Sequence, residues 1–300
     1  MRLGHSLLKR SSIHGLFALI GICRALSFNP AQATERQSLN LLENARNWPI
    51  TEIMINGQPS QALLDTGATV ALIHDRYLAP GAATESPDAT RVQGIGGNRI
   101  LPVTHVASVK AGAHTWTNLR AVVNAADQFP IAQNILPVAL LDGATVDFDF
   151  RKSTVELYDG YPKIIPGAER NAIRYRLHGG LIFIPVSING VSGEALIDTG
   201  STVTFVNAHY ADRAGGVKRD QEPEAIQGSD LNRGELEVFE FRKMRLGDKR
   251  ISTFSIPVLE TDLFASLGFD QAPMMVIGMD LLSHYRLQID RKRERIVLVR

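Results

Sequence analysis

The chain has 300 residues, of which 44% are apolar and 21% charged, and its 32 Lys and Arg offset 31 Asp and Glu to a formal charge of +1. That composition excludes a disordered or fibrous chain and supplies no overall electrostatic reason to bind nucleic acid or an acidic membrane surface. The one cysteine, Cys23, excludes an intramolecular disulfide framework and cysteine-rich metal sites.

Residues 1–33 read as a secretory signal. They carry Arg2, Lys9, Arg10 and Arg24 and no acidic residue, then an apolar run from Leu16 to Ile22, then the small-x-small sequence Ala31-Gln32-Ala33. Ile22 stands before Cys23, where a lipid-anchored chain has a small residue, so no lipid anchor is expected. No uninterrupted run reaches the roughly 20 apolar residues that span a bilayer. Loss of this segment removes Cys23 and four positive charges, leaving 28 basic against 31 acidic side chains and a net charge of −3. The expected mature protein is exported, periplasmic or secreted, and without a stable membrane anchor.

The remainder is doubled. Ile55-Asn56-Gly57 followed by Ala62-Leu63-Leu64-Asp65-Thr66-Gly67-Ala68-Thr69-Val70 returns as Ile188-Asn189-Gly190 followed by Ala195-Leu196-Ile197-Asp198-Thr199-Gly200-Ser201-Thr202-Val203, at a constant offset of 133. Gln93-Gly94 matches Gln227-Gly228 at 134, and Leu140-Leu141 with Asp149 matches Leu281-Leu282 with Asp290 at 141. Two long copies are too few for a solenoid and predict two homologous lobes, 34–160 and 178–300, joined by a linker at 161–177. β-branched runs predict strands at Ile50 to Ile55, Ala62 to Leu64, Val70 to Ile73, Ile182 to Ile188, Thr202 to Val206 and Ile296 to Val299. Short helical turns are expected at Asp75 to Leu78, Ala208 to Ala214 and Met279 to His284. The fold class is all-β with two lobes.

One Asp-Thr-Gly arises by chance in a chain of this length with a probability of roughly 0.07. Two in matched register, each after an apolar strand, are far rarer, and a two-fold relation between lobes brings Asp65 and Asp198 together. Carboxylates about 3 Å apart share one proton. One of them then activates a water as general base while its protonated partner polarises a carbonyl.

Asp65-Thr66-Gly67-Ala68 and Asp198-Thr199-Gly200-Ser201 resemble the active-site signatures of aspartic proteases, in particular the retropepsin-like bacterial branch, over roughly residues 50 to 300. The resemblance implies two retropepsin-like β-barrel lobes forming an intramolecular pseudo-dimer. It implies Asp65 and Asp198 as the catalytic pair, Thr66 and Thr199 as hydroxyls bracing the two loops, and Gly67, Gly200 and Ser201 as further support. It also implies a substrate-covering flap at Gly94-Ile95-Gly96-Gly97, with a second at Gly228 to Gly234. In this family an apolar-apolar-Gly strand passes beneath each active-site loop. Val276-Ile277-Gly278 fits, whereas Ile135-Leu136-Pro137 departs by losing a backbone donor and the freedom of glycine.

Ser201 carries a hydroxyl where the first repeat has Ala68. It is therefore expected to donate to its neighbouring carboxylate and draw the pair's negative charge toward Asp198. Asp147-Phe148-Asp149 reads as a half-exposed strand and Arg291-Lys292-Arg293 as a solvated turn between C-terminal strands. The eight histidines show no metal-ligand spacing, and Gly94-x-Gly96 does not continue into a dinucleotide fingerprint. The expectation is a monomeric endopeptidase acting on protein or peptide, with no metal or cofactor. The competing reading is a catalytically inactive peptide-binding or scaffold protein on the same fold.

Overall fold

Asn56-Gly57 and Asn189-Gly190 close the first hairpin of each repeat because both positions take positive φ, 49° and 81° in one and 49° and 88° in the other. The computed structural model describes residues 36–43, 48–81, 89–94, 97–125, 132–219, 224–227 and 233–300. The expected signal segment lies outside them.

The first half runs β1 (Gln37–Asn40), β2 (Ile50–Ile55), β3 (Gln58–Asp65), β4 (Ala71–His74), β5 (Ala89–Gly94), β6 (Gly97–Ala111), β7 (His114–Asn124), β8 (Ile135–Pro137), β9 (Thr145–Asp149) and β10 (Thr154–Tyr158). The second half runs β11 (Arg170–Arg174), β12 (Arg176–His178), β13 (Leu181–Ile188), β14 (Val191–Ile197), β15 (Phe205–Val206), β16 (Val217–Lys218), β17 (Glu224–Gln227), β18 (Arg233–Leu246), β19 (Lys249–Val258), β20 (Met274–Ile277), β21 (Arg286–Asp290) and β22 (Arg295–Val299). Its helices are α1 (Ala208–Arg213), α2 (Asp262–Ser266) and α3 (Met279–Leu282).

Each half closes a six-stranded barrel. In the first, the order β2-β3-β8-β4-β7-β6 returns on itself where Met54 pairs with Lys110 and Ile55 with Val109. In the second, β13-β14-β20-β15-β19-β18 closes where Val186 pairs with Leu246 and Ile188 with Met244. Alternation along these strands turns Ile53, Ile55, Val186 and Ile188 into the barrel cores. Each such burial contributes about 1.5–3 kcal/mol.

A third sheet, β1-β10-β9-β21-β22-β11, is built from both halves. At its centre Asp147 of β9 pairs with Gln288 of β21, and these two are repeat equivalents at the offset of 141. The pseudo-two-fold therefore passes between them. Two expectations change here. Residues 161–177 are not a bare linker, since β11 forms one edge of this shared sheet and β12 begins inside that segment. The Asp147-Phe148-Asp149 strand is not half-exposed, because all five residues of β9 are buried.

Burying those carboxylates requires partners, and they have them. Arg286 Nε donates to Asp147 Oδ1 at 2.7 Å, Nη2 to Asp147 Oδ2 at 2.8 Å and Nη1 to Asp149 Oδ2 at 2.9 Å. Gln288 Nε2 and Tyr158 Oη also donate to Asp147 Oδ2, at 3.0 and 2.9 Å. A carboxylate from one half and a guanidinium from the other thus fasten the lobes at the axis.

Of the expected helical turns, Asp75–Tyr77 is a 3-10 turn, and α1 and α3 form as expected. The turn α2 and the 3-10 turn Val138–Leu140 were not foreseen, and Thr202 to Val206 shortens to Phe205–Val206.

Candidate active site

The two Asp-Thr-Gly triplets sit where β3 and β14 leave the barrels. β3 enters the core at Ala62 and stays buried to Asp65, while β14 is buried over its last three residues, Ala195 to Ile197. Beneath them β8 and β20 run parallel, with Asp65 in register with Pro137 and Ile197 with Ile277.

Hydroxyls cross between the loops. Thr66 Oγ1 donates to Ile197 O at 2.7 Å and accepts from Thr199 N at 2.9 Å. Reciprocally, Thr199 Oγ1 donates to Leu64 O at 2.8 Å and accepts from Thr66 N at 3.0 Å. Each threonine thereby satisfies buried backbone groups of the opposite lobe, which makes the two loops one rigid floor.

Each carboxylate is held by its own turn. Gly67 N donates to Asp65 Oδ1 at 2.6 Å, and Gly200 N to Asp198 Oδ1 at 2.8 Å. The glycines are also sterically required, since a Cβ on Gly67 falls 2.4 Å from Asp198 Oδ1 and one on Gly200 falls 2.4 Å from Asp65 Oδ2. Each aspartate therefore lies against the glycine of the other triplet, and the two carboxyl groups hydrogen-bond to each other. Both keep 8% exposure, which leaves the pair accessible from outside.

Burial is the largest cause that pushes Asp65 well above the usual carboxylate range, followed by the charge of Asp198, while the Gly67 amide opposes both. Burial likewise raises Asp198, opposed by the amides of Gly200 and Ser201 and by the hydrogen bond from Asp65. The pair holds one shared proton as a unit.

The expectation for Ser201 is corrected. Its Oγ donates to Val203 O at 2.8 Å rather than to a carboxylate. The hydroxyl finds a carbonyl within its own turn first, and the amide of residue 201, like that of Ala68 in the other lobe, faces the aspartate instead.

At the second lobe, Gly278 passes so close that an added Cβ meets Val203 O at 2.7 Å and Ser201 O at 2.9 Å. Its amide donates to Thr204 Oγ1 at 3.0 Å, and Thr204 donates on to Asp280 Oδ1 at 2.6 Å. The repeat counterparts of Gly278, Thr204 and Asp280 are Pro137, Ala71 and Ala139. Proline removes the donor and alanine removes the acceptor, so nothing polar is orphaned in the first lobe. Sequence reasoning noted Pro137 but missed this matched loss. It also missed Arg291, whose Nη2 donates to Val138 O at 2.6 Å and so braces the first-lobe loop from the second half. Of its neighbours, Lys292 fits the solvated turn that was expected, whereas half-buried Arg293 donates to Asp290.

The glycine-rich segment forms the end of the β5–β6 hairpin, with Gly94 paired to Gly97. Ile95 and Gly96 lie outside the described residues, as does Gly228 in the hairpin β17–β18 of the second lobe. Helix α2 of the second half packs against the β5–β6 hairpin.

Two family models match in tandem. The family described as "gag-polyprotein putative aspartyl protease" matches residues 51–139, and the family described as "Aspartyl protease" matches 184–281. No curated protein matches the chain. The chain carries two tandem domains of aspartyl protease type, the pattern of a retropepsin-like two-lobe protein.

Proposed function

We propose that the protein is an aspartic endopeptidase in which a water held between Asp65 and Asp198 attacks the scissile carbonyl of an extended peptide. The observation that carries this reading is the crossed arrangement of the two triplets, each aspartate against the other's glycine with a hydrogen bond between the carboxyls. The ionised member takes a proton from the water as general base, and the protonated member donates to the carbonyl oxygen as charge develops there. The tetrahedral intermediate then collapses with a proton delivered to the leaving amine. Every proton is accounted for by the pair and the water.

In this reading the β5–β6 hairpin covers the cleft and pairs with the substrate backbone as an added strand. Residues 1–33 serve as an export signal, which the basic start, apolar centre and small-x-small end support.

The test is cleavage of an unfolded protein across a pH series by wild type, Asp65→Asn and Asp198→Asn. Wild-type cleavage is expected to fall by at least about a thousandfold in either variant. Full activity in either variant sinks the pair, and wild-type binding of peptide without cleavage favours the non-catalytic reading.

A further inference from the structure

The segment beneath each aspartate loop is tied to that loop differently in the two lobes. Under Asp198 the segment donates three hydrogen bonds upward, from Gly278 N to Thr204 Oγ1 at 3.0 Å, from Met279 N to Ser201 O at 2.8 Å and from Asp280 N to Thr202 O at 3.2 Å. The corresponding positions under Asp65 are Pro137, Val138 and Ala139. Pro137 has no amide proton to give. Among the described residues, neither Val138 nor Ala139 donates to the loop 68–71. The first-lobe segment therefore lies in register with Asp65 through β8 but makes none of the ties that its counterpart makes beyond the strand.

Its carbonyls receive their support from elsewhere. In the second lobe α3 satisfies its own, with Leu281 N and Leu282 N donating to Gly278 O and Ser283 N to Met279 O. The first-lobe segment stops after the single 3-10 turn Val138–Leu140, which leaves carbonyls without helical partners. Arg291 takes two of them, donating from Nη2 to Val138 O at 2.6 Å and from Nη1 to Leu141 O, and Nη1 also reaches Gly143 O at 3.4 Å. Its backbone amide donates to Ala144 O at 2.9 Å, and Trp116 Nε1 donates to Leu140 O at 3.2 Å. A planar guanidinium with its fixed fork of donors suits a row of carbonyls better than a compact ammonium does. The equivalent of Arg291 in the first repeat is Phe150, a buried apolar ring, so this brace crosses between the halves in one direction only.

We propose that Arg291 is the positioning residue of Asp65, fixing from the C-terminal hairpin β21–β22 the segment on which the first aspartate loop rests. The proposal rests on the endopeptidase reading and adds that the two aspartates are held in place by separate devices. The line of contact is short. Arg291 holds Val138, Val138 follows Pro137, and Pro137 pairs with Asp65 in the parallel β3–β8 ladder. Asp65 in turn accepts from Gly67 N at 2.6 Å, and a loop free to shift lengthens that bond and admits water to the carboxyl group. Asp198 depends instead on Gly278, Thr204 and Asp280, which Arg291 does not touch. The C-terminal hairpin is thereby part of the support of the first active-site loop.

The experiment compares the full chain with Arg291→Met, which keeps an apolar stem and removes the donors, and with Arg291→Lys, which keeps the charge and part of the bonding. Backbone amide exchange is read at Gly67 and Ala68 in one loop and at Gly200 and Ser201 in the other. Arg291→Met is expected to speed exchange at the first pair by about tenfold or more and to leave the second pair within about twofold, whereas a general loss of stability speeds both. In cleavage of an unfolded protein kcat is expected to fall by about tenfold or more with KM within about twofold. The alkaline limb of the kcat profile, where the pair gives up its shared proton, moves to lower pH as Asp65 becomes hydrated. Arg291→Lys is expected to recover part of each effect, and it carries the same comparison if Arg291→Met does not fold. Equal exchange in the two loops, or an unchanged kcat in folded Arg291→Met, overturns the proposal. A wild type that does not cleave sinks the endopeptidase reading alone, and the exchange contrast still decides the part played by Arg291.

Discussion

The two lobes build the same floor beneath the paired aspartates by different means. In the second lobe a glycine, a threonine and an aspartate form a buried polar chain, with Gly278 N donating to Thr204 and Thr204 to Asp280. In the first lobe proline and two alanines stand in those places, and the loop is held instead by Arg291 reaching across from the C-terminal strands. A repeat can lose a hydrogen bond without cost when donor and acceptor disappear together, since the penalty falls on an orphaned partner rather than on a missing bond. The same halves differ at their tyrosines, since Tyr210 is fully buried and its counterpart Tyr77 is half-buried beside a cavity.

The largest expected break in that comparison is at the tyrosines. Tyr210→Ala empties a fully buried site and is expected to cost about 3–5 kcal/mol, whereas Tyr77→Ala, half-buried at the edge of an existing cavity, costs about 1 kcal/mol; urea denaturation reads both. Next comes the glycine beneath the second loop. Gly278→Ala forces a Cβ against the Val203 backbone and is expected to cost about 2–3 kcal/mol and to lower cleavage with it, while Pro137→Gly changes stability by less than about 1 kcal/mol. Thr204→Ala sharpens the point, because it leaves the Gly278 amide buried without its acceptor and is expected to cost about 1–3 kcal/mol.

The aspartate pair makes a prediction in the opposite direction. Burial raises both groups above the ordinary carboxylate value of 3.8, and the charge of Asp198 adds to it for Asp65, so the native state binds more protons than the unfolded chain. Stability therefore falls as pH rises from that ordinary value through the raised ones. Asp65→Asn removes the penalty while keeping an acceptor for Gly67, and is expected to gain on the order of 1–2 kcal/mol at pH 7, about 2–8 °C in Tm. A wild-type Tm that does not decline across that window contradicts the shared proton. The smallest effect concerns a matching backbone kink in the two lobes. Asn118 in β7 and Thr253 in β19 both take left-handed φ, 54° and 44°, and only asparagine tolerates that conformation well. Thr253→Asn is expected to stabilise by about 0.5–1 kcal/mol, measured as a small rise in Tm.

Much of this was legible along the chain. The duplicated Asp-Thr-Gly with its apolar approach, the Asn-Gly turns and the alternating strands are local patterns set by side-chain period and turn chemistry, so they announce two β lobes and their candidate carboxylates without a fold. Ser201 was misjudged because a hydroxyl has several acceptors within reach, and which one it takes depends on a turn geometry that spacing does not encode. Pro137 looked like a defect because its compensating alanine lies 66 residues earlier.

By itself, then, the sequence determined that there are two related lobes, where their strands run, and which carboxylates face each other across a pseudo-two-fold. Tertiary structure alone decided that Thr66 and Thr199 exchange hydrogen bonds between lobes, that Asp147 and Arg286 lock the axis, and that Tyr210 is fully buried while its counterpart Tyr77 is only half-buried. The physical reason is common to all three. Periodicity reports the solvent-facing or core-facing side of one segment, whereas desolvation, hydrogen-bond partnership and filled volume are properties of atoms brought together from distant segments, and these exist only once the chain has closed on itself.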